Sequence, residues 1–433
     1  MLGTPPVPVN PNAPWAPRDP PVRTQFLQNI QPTPPDRPPA TPNRPPDRPA
    51  LTLPNADCPK GSTQPPPILI RVDPSRPRHA GSDPNGTLTR PGMTTSGPKT
   101  IFITGATGLV GSHAAEEALR RGHRVKALVR GSSDTRLLDQ WGVEKVPGDL
   151  EDADALRRGV EGADWVFNCA AKVGDWGTLE EFRRLNVEAL RLLLDAASDA
   201  KVGRFVHVSS LGVYEGRDHF GTDETVPPAA QSLDAYTRSK VEAEELALKY
   251  VKDRGLAVSV VRPGFIYGPR DRTVLPKLLD ALRNKRFFYF GSGDQVLNCI
   301  YVKNLVQAIF LAAEVDGAVG EVFNVTDGGK VTKKQFVGRV AELAGLKPPS
   351  RKIPLWLAWT LAVLMERRAK RKKSPVPPLV NKARYKFLGL NLDYSIEKAR
   401  RVLGYDPAYT TERGLVEAMA EHAPAGSTPV AVG

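Results

Sequence analysis

Cysteine is scarce, with only Cys58, Cys169 and Cys299 in 433 residues. The three form no even framework and no C-x-x-C pair, which excludes a disulfide scaffold and suits a reducing cytoplasm. No metal is expected. Long apolar runs are missing as well. The N-terminus lacks the continuous apolar core of a signal peptide. The apolar stretch "IPLWLAWTLAVLM" (353–365) has 13 residues, short of the roughly 20 that a spanning helix needs. A net charge of +13 would suit nucleic acid or an anionic surface. The sequence has no basic patch interleaved with aromatics, no zinc-finger spacing and no RNA-recognition signature, so nucleic acid is not expected as a partner.

Proline is present in quantity but unevenly, since 27 of 42 precede Lys99. Runs such as "PTPPDRPPATPNRPPDRPA" cannot bury enough apolar surface to offset the entropy of ordering them. Residues 1–97 therefore read as a disordered or polyproline-II tail, and residues 423–433 as a flexible one. Met93 stands six residues before the first convincing strand, so the core needs nothing upstream of it. The remaining length, at 40% hydrophobic and 25% charged residues overall, allows one large α/β unit.

"KTIFITGATGLVGSHAAEEALRRGHRVKALVR" is the most informative stretch. Ile101 to Thr104 reads as a strand, glycines follow at 105, 108 and 111, a helical pattern runs to Arg121, and Arg124 to Val129 reads as a second strand. Glycines in such a turn let the backbone approach a pyrophosphate, whose charge meets free N–H groups and the positive end of the helix. The second strand ends without an acid that could hold the ribose hydroxyls of NAD. Arg130 stands there instead, with Ser132 and Ser133 behind it, which favours NADP(H) over NAD(H). The strand and helix alternation continues through "WVFNCAA", "FRRLNVEALRLLLDAA", "RFVHVSS" and "AVSVVRPG". Repeated β-α-β units imply a doubly wound parallel Rossmann sheet with helices on both faces. In "YTRSK" at a helix start, Tyr236 and Lys240 lie four residues apart and so share one face.

With "TGATGLVG", "GDL", "NCAA", "VSSLGVY", "YTRSK" and "RPGFIYGP" in this order, residues from about Pro98 to about His422 resemble the extended short-chain dehydrogenase/reductase family, also called the NAD-dependent epimerase/dehydratase family. "AAKVGDWGTLEEFRRLNVEALR", "GEVFNVTDG" and "SIEKARRVLGYDPAYTTERGL" look most like its 3β-hydroxysteroid dehydrogenase branch. The resemblance implies a domain over 98–422, with a core over about 98–262 and a smaller substrate lobe mainly from about 263–300 and 330–422. It matches Gly105, Gly108 and Gly111, together with Thr107, Leu109 and Val110, to the phosphate loop. It matches Asp149 and Leu150 to the adenine flank, and Asn168, Ala170 and Ala171 to the strand end beside the cofactor. Pro263 and Gly264 match the segment near the nicotinamide. Ser210, Tyr236 and Lys240 match the catalytic serine and the tyrosine–lysine pair.

A phenol is a poor base at neutral pH, but a nearby ammonium and an oxidised nicotinamide favour phenolate, so a lowered Tyr236 pKa is expected. Tyr236 would then take the alcohol proton, Ser210 would hold the substrate oxygen, and Lys240 would hold the ribose. The family's nucleotide-sugar members commonly carry an arginine in the stretch resembling "GSGDQVLNCIYV"; here Leu297 stands at that position and cannot bind a diphosphate. A small apolar substrate, favoured to be a 3β-hydroxysteroid or related isoprenoid alcohol, is the expectation. A nucleotide-sugar epimerase or dehydratase is the alternative, and a non-catalytic cofactor-binding regulator a third reading. The branch usually has an acid where "YVKN" has Lys303. The chain is expected in the cytoplasm, with a homodimer compatible with this reading. Residues 353–373, with Trp356, Trp359 and six cations from Arg367 to Lys373, read either as a peripheral membrane contact or as a buried helix roofing the pocket, followed by a solvated basic linker.

Overall fold

The structure, a computed structural model, describes residues 97–230 and 234–422; the Pro-rich segment and the C-terminal tail lie outside the described residues. Seven strands form the central sheet: β1 (Thr100–Thr104), β2 (Arg124–Val129), β3 (Glu144–Pro147), β4 (Trp165–Asn168), β5 (Arg204–Val208), β6 (Val258–Pro263) and β7 (Val322–Val325). Their order is β7-β6-β5-β4-β1-β2-β3, and every pairing is parallel. The chain starts in the middle, winds to one edge, then returns and winds to the other. This leaves a crevice at the carboxyl ends of β1 and β4, where the winding reverses.

Side chains of β1 alternate across the sheet as strand geometry dictates. Ile101 and Ile103 enter one core with Ala114, Phe167 and Phe310. Phe102 enters the other with Leu156, Leu193 and Phe205. Helix α1 (Leu109–Arg120) follows the glycine turn with no acid in its first turn. The segment read as a single helix around "FRRLNVEALRLLLDAA" is interrupted: α2 (Leu179–Arg183) and α3 (Ala189–Asp199) flank a π-helical turn over Arg184–Glu188. Helix α4 (Ala235–Arg254) is capped by Asp234, whose side chain accepts from Tyr236 N, and is stopped by Gly255 in the left-handed conformation.

The smaller lobe is built on two-stranded ribbons, among them Phe265–Tyr267 with Cys299–Tyr301 and Tyr289–Phe290 with Lys352–Ile353. Helices α5 (Leu355–Arg371) and α6 (Lys382–Gly389) complete it. Neither the buried roof helix nor the basic linker expected of 353–373 is found. Helix α5 runs on through Arg371, and its buried residues are only Ala358 and Ala362, while Trp356 is 70% exposed and Trp359 45%. Apolar composition therefore did not translate into full burial: Ala358 and Ala362 are buried, Leu355 and Met365 pack partly buried beside them, and the opposite face stays exposed.

The sheet and α4 are joined by a buried ion pair. Arg262 Nη2 lies 2.6 Å from Glu244 Oε2, with side-chain exposures of 5% and 3%. Ser209 also donates to Glu244, Arg262 Nη1 donates to the Tyr214 hydroxyl at 2.9 Å, and that hydroxyl donates to Asn324 Oδ1 at 3.0 Å. Removing one member strands the other charge in an apolar interior. Arg262→Met is accordingly expected to cost about 3–5 kcal/mol, and Arg262→Met with Glu244→Met to recover most of that loss. Chemical denaturation of the three proteins checks both statements.

Candidate active site

The glycine turn begins the site. Gly105 has φ of +71°, and a Cβ there would sit 2.9 Å from Ala170 N. At Gly111 a Cβ would come within 2.3 Å of the Gly105 carbonyl oxygen. Both positions therefore need glycine, and the turn folds tightly enough to leave the first N–H groups of α1 facing the crevice. A groove of about 680 Å³ opens beside it, lined by Gly105, Thr107, Gly108, Arg130, Asp149, Leu150, Ala170 and Ala171. Eight of the residues expected to hold a dinucleotide are thus brought together. Leu109 and Val110 instead turn their side chains into the cores. Asn168 lies buried behind the groove, where its Oδ1 accepts from Thr104 Oγ1 at 2.6 Å and its Nδ2 meets His207 Nδ1 at 3.1 Å. An amide nitrogen only donates, so His207 Nδ1 accepts; burial holds His207 well below its ordinary pKa and hence neutral. The glycine cradle and the groove fit a dinucleotide on geometry alone.

A second cleft of about 220 Å³ is walled by Ser210, Tyr236, Pro263, Gly264, Phe265, Phe387, Leu392 and Tyr394, with Asn298 and Lys386. Ser210 and Tyr236 flank Gly212: Ser210 Oγ accepts from Gly212 N at 2.9 Å, and a Cβ on Gly212 would lie 3.6 Å from the Tyr236 ring. Lys240 is buried one helical turn after Tyr236, and its Nζ donates to Val208 O at 2.8 Å. Pro263 and Gly264 line this cleft rather than the groove.

The protein's own groups do not by themselves lower the Tyr236 pKa. Burial pushes the phenol above its ordinary value, and the Ser210 hydroxyl pulls the other way without prevailing. Lys240 is itself pushed down to about 8 by burial. Its ammonium is spent on a strand-end carbonyl, so desolvation outweighs attraction at the phenol.

Three features went unread in the sequence. Asn186, in the π-helical turn, accepts from Lys172 N at 2.7 Å and donates to Lys172 O and Ser239 Oγ, both at 3.0 Å, fixing the groove wall against α4. No local pattern announces it. Arg262, by contrast, carried a signal, as a charge inside the apolar run "AVSVVRPG". Lys386 sits between Tyr385 and Phe387, an unusual setting for a cation. Lys303, noted as a departure, finds its acid elsewhere, with Nζ 2.6 Å from Glu417 Oε2.

Residues 101–326 match the NAD dependent epimerase/dehydratase family. The chain belongs to that family. It is 35% identical over 328 residues, 75% of this chain and 97% of the relative, to a 4-hydroxy-2-methyl-3-oxo-4-farnesyl-3,4-dihydroquinoline-1-oxide ketoreductase of Stigmatella aurantiaca. It is 32% identical over 77% of this chain and 94% of the relative to a 3-beta-hydroxysteroid dehydrogenase of Mycolicibacterium neoaurum. Among solved structures, MoeE5 in complex with UDP-glucose and NAD superposes with a TM-score of 0.58 at 27% identity, covering 74% of this chain and 97% of that one. Membership makes this chain an enzyme of the NAD-dependent dehydrogenase/reductase class. Tyr236→Phe keeps the ring and deletes the hydroxyl; with Tyr236 as the acid/base that the sequence leads one to expect, turnover should fall by about 10² to 10⁴ with cofactor affinity nearly unchanged. Steady-state kinetics and a cofactor titration check the pair.

Proposed function

We propose that this protein interconverts a secondary alcohol and a ketone on an apolar substrate, with a 3β-hydroxysteroid or related isoprenoid alcohol favoured. The convergence of Ser210 and Tyr236 on an apolar cleft, with Lys240 a turn behind, carries this reading. Gly105, Gly108 and the N-terminus of α1 would hold the diphosphate of the cofactor, with Asp149 and Leu150 toward the adenine. When bound, the nicotinamide supplies or accepts the hydride. Ser210 Oγ holds the substrate oxygen by a hydrogen bond, and Tyr236 takes or returns its proton. Lys240, its Nζ bonded to Val208 O, holds the end of β5 against α4. Pro263, Gly264 and Phe265 exclude water from the reacting face.

Two observations support an apolar substrate. Leu297 is buried and offers a sugar diphosphate nothing to bind. The ketoreductase relative is named for a substrate that carries a farnesyl chain, a 3-oxo group and a 1-oxide on one ring. The nucleotide-sugar reading keeps one observation in its favour, the neighbour solved with UDP-glucose. Incubation with NADP⁺ or NAD⁺ and panels of sterols and nucleotide sugars, with product analysis for hydride-recycling epimerisation, separates the two.

NADP(H) is favoured because Arg130 and Ser133 line the groove at the end of β2, where no acid stands. Arg130→Asp should move preference towards NAD(H) by removing a cation and repelling a 2′-phosphate. The ratio of kcat/KM for the two cofactors reads this, and a parent that already prefers NAD(H) overturns it.

Among the described residues no helix is long and apolar enough to cross a membrane. Peripheral contact is favoured by the outer face of α5. Trp356, Trp359 and Leu364 are exposed there beside Arg367, Arg368 and Arg371, and Leu379 is 67% exposed just beyond. A bilayer rich in anionic lipid is the surface that suits apolar side chains rimmed by cations. Vesicle sedimentation should show binding to anionic vesicles at low salt, release at high salt, and weaker binding when four of the six cations from Arg367 to Lys373 become glutamine. Equal pelleting with neutral lipid would rule this out.

A further inference from the structure

One short segment joins the wall of the groove to the wall of the cleft. It leaves β4 through Ala170 and Ala171, and with Lys172 and Val173 it lines the groove. There the Asn186 amide holds both the N–H and the C=O of Lys172. Two residues past Val173 the segment has reached the substrate lobe. Asp175 Oδ2 accepts from Arg384 Nε at 2.6 Å and from Asn381 Nδ2 at 2.9 Å, and Trp176 Nε1 donates to Ser374 O at 2.9 Å. Asn381 is 1% exposed and caps α6, its Oδ1 accepting from Arg384 N at 2.8 Å. Asp175 thus bonds the cap of α6 and its first turn together. That helix supplies Ala383, Lys386 and Phe387 to the cleft. Gly174 and Gly177, with φ of +147° and +145°, flank the contact in conformations that an L side chain resists, and they let the chain turn out of the groove and back. Val173, beside the first of them, is 69% exposed.

We propose that residues 172–176 are a strap that couples the groove to the cleft, with Asp175 as its positioning residue. Lys172 and Val173 become ordered when a dinucleotide fills the groove, and the Asp175 contact passes that order to α6 and so to the wall of the cleft. The inference rests on the groove being the dinucleotide site. Its physical basis is that the chain is held at Lys172 by Asn186 and at Asp175 by the substrate lobe, with only Val173 and Gly174 between. Two residues are too few for the ends to settle independently, so ordering one end lowers the entropic cost of ordering the other. The Asp175–Arg384 pair, with side-chain exposures of 27% and 36%, is a weak clasp by itself, as a partly solvated ion pair is. Its bond to the buried Asn381 gives it direction. A substrate then meets an assembled cleft once the groove is filled, and by reciprocity a filled cleft retains the dinucleotide longer.

Hydrogen exchange of the full chain, read by mass spectrometry with and without saturating NADPH or NADH, tests the strap without a substrate. In the parent, exchange is expected to slow about fivefold or more in two places, the 105–112 turn and α6 over 382–389, as the coupling of linked sites gives. In Asp175→Ala the 105–112 turn should still respond while 382–389 no longer does, and the dissociation constant of the cofactor, from a fluorescence titration, should rise by about the same factor. Asp175→Asn keeps an acceptor for Asn381 and should restore part of the response. A cofactor that touched α6 directly would slow 382–389 in the parent and in Asp175→Ala alike, and that result overturns the strap. So does a loop that merely braces the lobe, which would raise exchange of 382–389 in Asp175→Ala and leave its response to cofactor intact. A parent that responds at 105–112 and not at 382–389 overturns the strap with no variant needed and leaves the dinucleotide site standing. A parent that responds at neither removes both.

Discussion

The Arg262–Glu244 pair is the constraint from which the rest of the site hangs. Several members of its network stand close in sequence to groups in the cleft. Glu244 lies one helical turn after Lys240 and two after Tyr236, so fixing its carboxylate fixes the rotation of α4 about its axis. Arg262 precedes Pro263 and Gly264. Ser209, which donates to Glu244, precedes Ser210. Tyr214 closes the same loop by accepting from Arg262. Two charges in an apolar interior are a costly way to join a helix to a sheet, and well-packed hydrophobic side chains are often at least as stabilising. What an apolar contact does not supply is direction. Hydrogen bonds of defined geometry set the register between α4, the 209–214 loop and the start of the substrate lobe.

The nucleotide half of the protein was legible in the sequence because its information is local. β1, the glycine turn, α1 and β2 occupy 30 consecutive residues, and their expected limits agree with the observed ones to within a residue. Tyr236 and Lys240 were equally plain, since a spacing of four on a helix needs no knowledge of the tertiary fold. Contacts across long separations were not legible. Lys386 meets Tyr214 across 172 positions, and nothing around either residue names the other. Glu244 and Arg262 stand only 18 apart, yet one looks like a helix-surface charge until the strand after it is laid alongside. The π-helical turn at Asn186 reflects competition among backbone hydrogen bonds that composition does not record. Helix α5 shows a different limit: apolarity alone does not choose between burial and exposure, and here Ala358 and Ala362 are buried with Leu355 and Met365 packed partly buried beside them.

Electrostatics supply the last step. Lys240 and Lys386 both bond main-chain carbonyls of the 208–214 segment, Lys240 at Val208 and Lys386 at Gly212 and Tyr214, and burial pushes each down to about 8. The Tyr236 phenol is pushed up. Each of these three shifts disfavours the charged form, as burial at low dielectric does. Linkage makes the relation reciprocal: a negative charge brought beside either lysine raises its pKa, and the same free energy stabilises the negative charge. In the proposed reaction, the proton leaving a substrate hydroxyl creates such a charge. The ammonium groups are already held by carbonyls and need no reorganisation when it forms, so in that proposed reaction the desolvation that opposes phenolate at rest would strengthen the field available to the developing oxyanion.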